Sequence, residues 1–285
     1  MKISYRSFWG GFDNGNFELK AIFEYIFKDI KKNIIIVSGY DPKDIIPPPN
    51  FDGLMVVFSG EPYNLLLSNN EGINIIMNKV TAENVIPMHL FSISAYERNK
   101  WSNLQTSRQI RNTPSKFCAF CVGNGRIGTR NNFMINLSNT YKKVDSCGGF
   151  MNNIGYTAPQ GDIPYWNFLS QYKFNICFEN TKQENYITEK LFNAYMGGSI
   201  PIYWGTSQVL EWFNPKAFLY LENDTPEDVE KLFEQIKILD NDNELYMKML
   251  NEPLLIGEIP HDMNIDVWKN KINTCVSKTR QDLFI

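Results

Sequence analysis

The chain has 285 residues, with 28 Lys and Arg against 31 Asp and Glu, a formal charge of −3. Apolar residues make up 43% and aromatics 14%, which excludes a disordered chain and allows one large or two modest domains. Near-neutral charge gives no general reason to hold nucleic acid or an anionic membrane, so an anionic ligand needs a local cluster of Arg and Lys.

In chain order, ISYRSFW reads as a strand, and Phe23, Ile26, Phe27 and Ile30 recur at helical spacing within 17–30. Short apolar strands follow at 34–38, 54–59 and 73–77, the first two separated by the proline-rich loop PKDIIPPPNFDG. A polar, irregular stretch over Tyr96–Pro114 divides the chain. After it come a strand KFCAFCV, a helix near Asn131–Asn139, and strands at 142–145 and 173–178. A helix from Thr188 and strands SIPIYW and AFLYL complete the alternation. Thr225-Pro226-Glu227-Asp228 then gives an N-cap, a first-turn proline and an acid, opening the helices that contain KLFEQIKIL and LYMKML. Short buried strands alternating with helices predict parallel sheets covered on both faces. The division predicts two domains, 1–112 and 113–285.

Two His, His89 and His261, leave little room for a His-based zinc site or a Ser-His-Asp arrangement. Five Cys, odd in number and mostly within apolar runs, read as reduced core thiols of a cytosolic protein. Cys118 and Cys121 spell CxxC on a strand, where i and i+3 face opposite ways. No apolar run reaches the roughly 20 residues that span a bilayer, and the first residues lack a signal peptide's greasy stretch.

Gly123-Asn-Gly125-Arg-Ile-Gly128 is a GxGxxG between a predicted strand and helix, with Asp145 ending the next strand. That is the context of a dinucleotide fingerprint, and it keeps an NAD(P)-dependent oxidoreductase as an alternative reading. Arg126 and Arg130 stand near the helix start, within reach of phosphate oxygens. The second motif is YKFNICFENTKQENYITEKLFNAYMGGSIPIYWG, residues 172–205. Thr188 is an N-cap there, turning backbone N–H groups toward an incoming anion. Lys190 opposes the macrodipole of its own helix, which makes sense where it meets a phosphate. Glu179 and Asn180 end the preceding strand, where open α/β sheets bind ligands. Asp240-Asn-Asp242 imitates a metal-binding DxD but reads as helix capping. Trp9, Trp166 and Trp204 are candidate sugar-stacking faces, although a single Trp is more often core.

Through YKFNICFEN, YITEKL and IPIYWG the chain closely resembles the α1,3/α1,4-fucosyltransferase family. KFCAFCVGN, RNNFMINLSNTYKKVDSCGGFMNN, FNPKAFLYLEN and VVFSGEP extend the resemblance over most of the chain from about residue 54. The resemblance implies an α/β GT-B glycosyltransferase: two Rossmann-like domains facing a catalytic cleft, the first binding acceptor and the second binding GDP-fucose. It implies an inverting transfer of L-fucose from GDP-fucose, giving an α-fucoside, with O3 of N-acetylglucosamine in a lactosamine-type glycan as the expected acceptor. By motif position Glu61 resembles the general base and Glu189 the carboxylate beside the fucose ring. Arg130 and Lys190 resemble the phosphate-binding pair, with Asn180, Tyr186 and Thr188 as further donor contacts. No metal is implied as essential, and a divalent cation is expected at most to stimulate turnover. Pro62 follows Glu61 where the family usually has Asn, and Asn185 precedes Tyr186 where it tends to have Gly. A non-catalytic glycan-binding protein on the same fold is the other alternative. The expected setting is the cytoplasm, peripherally at the inner membrane where lipid-linked glycans are assembled, as for the soluble microbial members; the expected partners include no nucleic acid.

Overall fold

The computed structural model describes residues 2–8, 17–38, 45–61, 67, 72–76, 82–97 and 99–284. Packing divides the chain into two units, each built on a five-stranded sheet in which all strand pairs are parallel. Unit 1 comprises residues 1–100, 183–186 and 259–285, and unit 2 the remainder. The boundary therefore differs from the expected break at 112/113, and the chain's last segment returns to unit 1. The physical reason lies in the last helix, described below.

In unit 1 the strands β1 (Ile3–Arg6), β2 (Ile34–Ser38), β3 (Leu54–Ser59), β4 (Gly72–Ile76) and β5 (Val85–Pro87) lie in sequential order. Successive side chains on a strand face opposite ways, so apolar runs fill both faces. Ile34 and Ile36 join one core with Leu54, Val56 and Ile75, whereas Ile35 and Val37 join Met55, Val57 and Leu67 in another. Helix α1 (Phe17–Ile26) covers the first of these cores through Phe23 and Ile26, followed by Phe27 and Ile30 of the expected apolar stripe. Helix α2 (Leu90–Glu97) precedes the expected irregular region and runs into its first two residues, and α3 (Trp101–Leu104) lies within it. LFSISAYE is apolar on most sides, with residues 91–95 buried, so it carries no helical period to read.

In unit 2 the order is β7 (Asp145–Ser146), β6 (Lys116–Phe120), β8 (Tyr172–Ile176), β9 (Ile200–Tyr203) and β10 (Leu219–Tyr220). Chain direction across the sheet reverses between β6 and β8, which makes that gap a topological switch point. Helices α4 (Gly128–Thr140), α5 (Asp162–Leu169), α6 (Glu189–Met196) and α7 (Val209–Trp212) precede the pair α8 (Pro226–Asn241) and α9 (Asn243–Leu250). One sheet face packs Phe120, Phe174 and Ile202 against Phe133 of α4, Ile236 of α8 and Leu250 of α9. The opposite face packs Ala119 and Tyr172 against Phe168 and Leu169 of α5.

Arg108 ties these helices together. Its Nε donates to the Leu250 carbonyl at 2.6 Å, and one terminal nitrogen donates to the Tyr195 and Ser199 carbonyls at 2.8 and 3.0 Å. A cation at the carboxyl ends of α6 and α9 meets their negative dipole poles. Burial draws its guanidinium down to about 10.

Helix α10 (Ile265–Thr279) begins at the N-cap Asn264, whose side chain accepts from the Asp266 N–H. Its Trp268, Ile272 and Val276 are buried in the unit 1 core with Phe23 and Phe27. Full burial of such side chains is worth about 1.5–3 kcal/mol each, which fixes the segment to this unit.

The cysteine expectation is corrected in part. Cys121 and Cys147 form a disulfide, with Cα atoms 4.9 Å apart, while Cys118, Cys177 and Cys275 are free and buried. They follow the ends of neighbouring strands, where the Cys147 N–H donates to the Phe120 carbonyl, so their side chains abut. Cys118 belongs to the core on the other face, as the strand period requires. Among the described residues no helix is long and apolar enough to cross a membrane.

Candidate active site

Three segments meet at the carboxyl edge of the second sheet: the loop after β6, the first turn of α4, and the β8–α6 connection. Arg130 lies in that first turn and is 4% exposed. One terminal nitrogen donates to Asn180 Oδ1 at 2.7 Å and the other to the Asn124 carbonyl at 3.0 Å. The guanidinium thus joins the loop after β6 to the end of β8, across the switch point. Neither an acidic residue in the first turn nor a side-chain cap offsets the positive pole of α4.

The second cluster surrounds Glu179, which is fully buried. Its Oε1 accepts from the Thr188 N–H at 2.7 Å and from the Tyr203 hydroxyl at 3.4 Å. Its Oε2 accepts from Thr188 Oγ1 at 2.7 Å and Lys190 Nζ at 3.2 Å. Thr188 caps α6, its Oγ1 accepting from the Lys190 N–H, and Lys190 Nζ lies 3.0 Å from the same oxygen. Burial pushes the Glu179 carboxyl up, against the downward pull of the Lys190 ammonium and the Thr188 N–H. The Tyr203 phenol is pushed well above its ordinary range by burial and then by the Glu179 charge, so it remains a donor.

Local sequence explains this geometry. The Glu179 N–H donates to the Trp204 carbonyl, extending the β8–β9 ladder past its last paired residue. A Cβ on Gly205 would lie 2.4 Å from the Tyr203 hydroxyl and 2.9 Å from Glu179 Cγ, so the final glycine of IPIYWG makes room for the pair. Asn185 has φ +64°, the left-handed region that Gly adopts freely and Asn tolerates better than most residues. Asn therefore meets the same backbone demand as Gly there.

Arg130, Asn180, Thr188 and Lys190 thus occupy one edge of unit 2, and Glu189, half-buried, opens α6 beside them. Tyr186 is buried and groups with unit 1, its N–H donating to the Gln183 carbonyl. Glu61 also belongs to unit 1, at the carboxyl end of β3, where its N–H donates to Ser59 Oγ at 3.2 Å. Pro62 and Trp9 lie outside the described residues. Trp166 donates to Asn193 Oδ1, and Trp204 packs on Phe178, so both serve packing. The sequence placed Glu179 at a strand end without a role. Its contacts to Tyr203 and Gly205 lie more than twenty positions ahead, beyond any local pattern.

Two other motifs resolve into structural roles. Around Gly123 and Gly128 a Cβ would meet nothing within 4 Å, so helix–strand packing does not demand glycine there. Asp145, the acid expected on a ribose hydroxyl, accepts from the Tyr172 hydroxyl at 3.0 Å. Both observations weigh against the dinucleotide fingerprint. Asp242 caps α9 as expected, accepting from the Glu244 and Leu245 N–H groups. Asp240 instead pairs with Lys173 and Lys142 and accepts from the Tyr141 hydroxyl. Beside Gly123 a cavity of about 410 Å³ opens over the disulfide, Gly148, Gly149 and Asn193.

The fold is that of a GT-B glycosyltransferase. A crystal structure of an α1,3-fucosyltransferase with GDP-fucose superposes with a TM-score of 0.71 over 97% of this chain and 90% of that one, at 22% identity. The description "Glycosyltransferase family 10 (fucosyltransferase) C-term" matches residues 107–251. The chain belongs to this family. Over 168 residues it is 35% identical to the α-(1,3)-fucosyltransferase FucT of Helicobacter pylori, covering 58% of this chain and 32% of the relative. A protein of Acanthamoeba polyphaga mimivirus, also named as a fucosyltransferase, is 30% identical over 241 residues, 79% of this chain and 39% of its own. The chain thus spans 32% and 39% of the length of these two relatives.

Proposed function

We propose that the protein is an inverting fucosyltransferase that moves L-fucose from GDP-fucose to a sugar hydroxyl, O3 of N-acetylglucosamine in a lactosamine-type glycan. The observation that carries this reading is the pair of helix starts, α4 and α6, each with a cation in its own first turn at the carboxyl edge of one sheet. A cation against its own helix dipole costs helix stability, and an anion held between two such turns reverses the sign. A diphosphate leaving group fits that demand.

In this mechanism unit 1 binds the acceptor and unit 2 the donor. The Glu61 carboxylate takes the acceptor hydroxyl proton as that oxygen bonds to the anomeric carbon. The bond from that carbon to the diphosphate breaks on the opposite face, so β-linked GDP-fucose gives an α-fucoside. Arg130, Lys190 and the N–H groups after Thr188 stabilise the charge developing on GDP, and Glu189 the oxocarbenium-like ring. Asn180 and Tyr186 complete the donor contacts. The acceptor is proposed to be lipid-linked and met at the cytoplasmic membrane face.

Incubation with GDP-fucose and N-acetyllactosamine tests this directly, with the product linkage read by NMR. The account expects release of GDP and an α-fucosyl residue on O3. Absence of both would contradict it and leave the non-catalytic reading. Glu61→Gln is expected to bind GDP normally while losing transfer by at least about 100-fold.

A further inference from the structure

The assigned donor cations leave one charged group in the same cluster without a function: the fully buried Glu179. A carboxylate taken out of water costs several kcal/mol unless its oxygens are fully met. Both oxygens are met, by Thr188 N–H and Oγ1, the Tyr203 hydroxyl and the Lys190 ammonium. A merely structural cap of α6 needs only a neutral acceptor for the Thr188 N–H, which the single carbonyl oxygen of a Gln supplies without the cost of a buried charge. The buried charge is explained by Lys190, which would otherwise stand against the positive pole of its own helix.

We propose that Glu179 is the positioning residue of the donor site, holding the Lys190 ammonium charged and aimed at the α6 first turn where the departing diphosphate accumulates charge. The inference rests on the assignment of Lys190 to that diphosphate. Tyr203 braces the carboxylate from β9, and Gly205 lets the two approach.

Among the described residues, ionisable groups that act on this pair include Cys177 on the β8 end, Tyr203 on β9, Tyr165 on α5 and Glu189 on α6. Burial pushes Cys177 and Tyr203 well up and Tyr165 to about 12, so all three stay neutral across an assay range. Glu189 is a further carboxylate beside the pair, and it is unchanged in the variant below.

The test compares the 285-residue chain with Glu179→Gln, which keeps the shape and one acceptor oxygen, puts an amide in place of the other and removes the charge. The Lys190 titration midpoint is read by pH-dependent labelling with a limiting amine reagent and mass spectrometry, with no substrate present. It is expected to be lower in the variant than in the wild type, because the paired carboxylate favours the ammonium. The alkaline limb of kcat/KM for GDP-fucose should move down in parallel, with kcat/KM reduced about 10- to 100-fold. In a Lys190→Ala background the same substitution should cost nothing further. Equal midpoints, or equal losses in both backgrounds, overturn the proposal. Should the variant not fold, a wild-type Lys190 midpoint well below that of a free lysine overturns it as well. The labelling is independent of GDP, so failure of the wild type to bind GDP refutes the diphosphate assignment separately.

Discussion

Lys190 and Arg130 were legible as single residues because each breaks a local rule, a cation in the first turn of its own helix. Under the proposed donor assignment, Lys190→Ala removes one preorganised charge facing the leaving diphosphate and is expected to cost about 2–4 kcal/mol of transition-state stabilisation in kcat/KM. Steady-state kinetics check this, and near-wild-type turnover contradicts it. His89 makes a different residue-scale prediction. Burial pulls its imidazole down from 6.5 to about 4, with Asp262 and Asn185 pulling weakly the other way. The fold therefore keeps His89 neutral while the unfolded chain protonates it. Its contribution is complete above pH about 6.5 and is lost as pH falls through about 4, on the order of 3 kcal/mol. Urea unfolding between pH 7 and 4 should show that slope, flattened in His89→Gln. An unchanged slope in the variant would show that other groups carry it. The sequence offered no sign of this burial, because His89 follows a three-residue strand that no periodicity announces.

Among the elements, the central strands were readable because they are short, continuous apolar runs. Helices α2 and α5 were not, since LFSISAYE and DIPYWNFL show no 3.6-residue stripe. The disulfide was hidden for a related reason: strand alternation separated Cys118 from Cys121, but nothing local placed Cys147 beside Cys121. It closes a segment of 26 residues and should contribute about 3–4 kcal/mol by restricting the unfolded chain. Calorimetry with and without a reductant, or on Cys147→Ala, should show a lowered midpoint; no change would argue against the bond. Gly205→Ala tests the turn after β9. Its Cβ has no room beside the Tyr203 hydroxyl and Glu179 Cγ, so a loss of about 1–3 kcal/mol is expected in thermal unfolding, together with weakened GDP binding. A variant as stable and as tight as wild type would contradict the packing.

For the whole molecule, two parallel α/β halves and their family were foreseen, whereas the division of the chain between them was not. The apolar face of α10 says that it must be buried but not on which sheet, and Trp268 and Ile272 settle it on unit 1. The cluster at the edge of the second sheet was legible because 172–205 gathers most of it in one contiguous stretch. Glu61, the proposed base, stands alone beside residues of no local pattern. The central claim is that the carboxyl edge of the second sheet holds a guanosine diphosphate through Arg130 and Lys190. Calorimetric titration of the wild type with GDP and with NAD, repeated on Arg130→Ala, tests it most directly. The account predicts binding of GDP, none of NAD, and a loss of GDP affinity of at least about tenfold in the variant. Binding of NAD in preference to GDP, or full GDP affinity without Arg130, would contradict it.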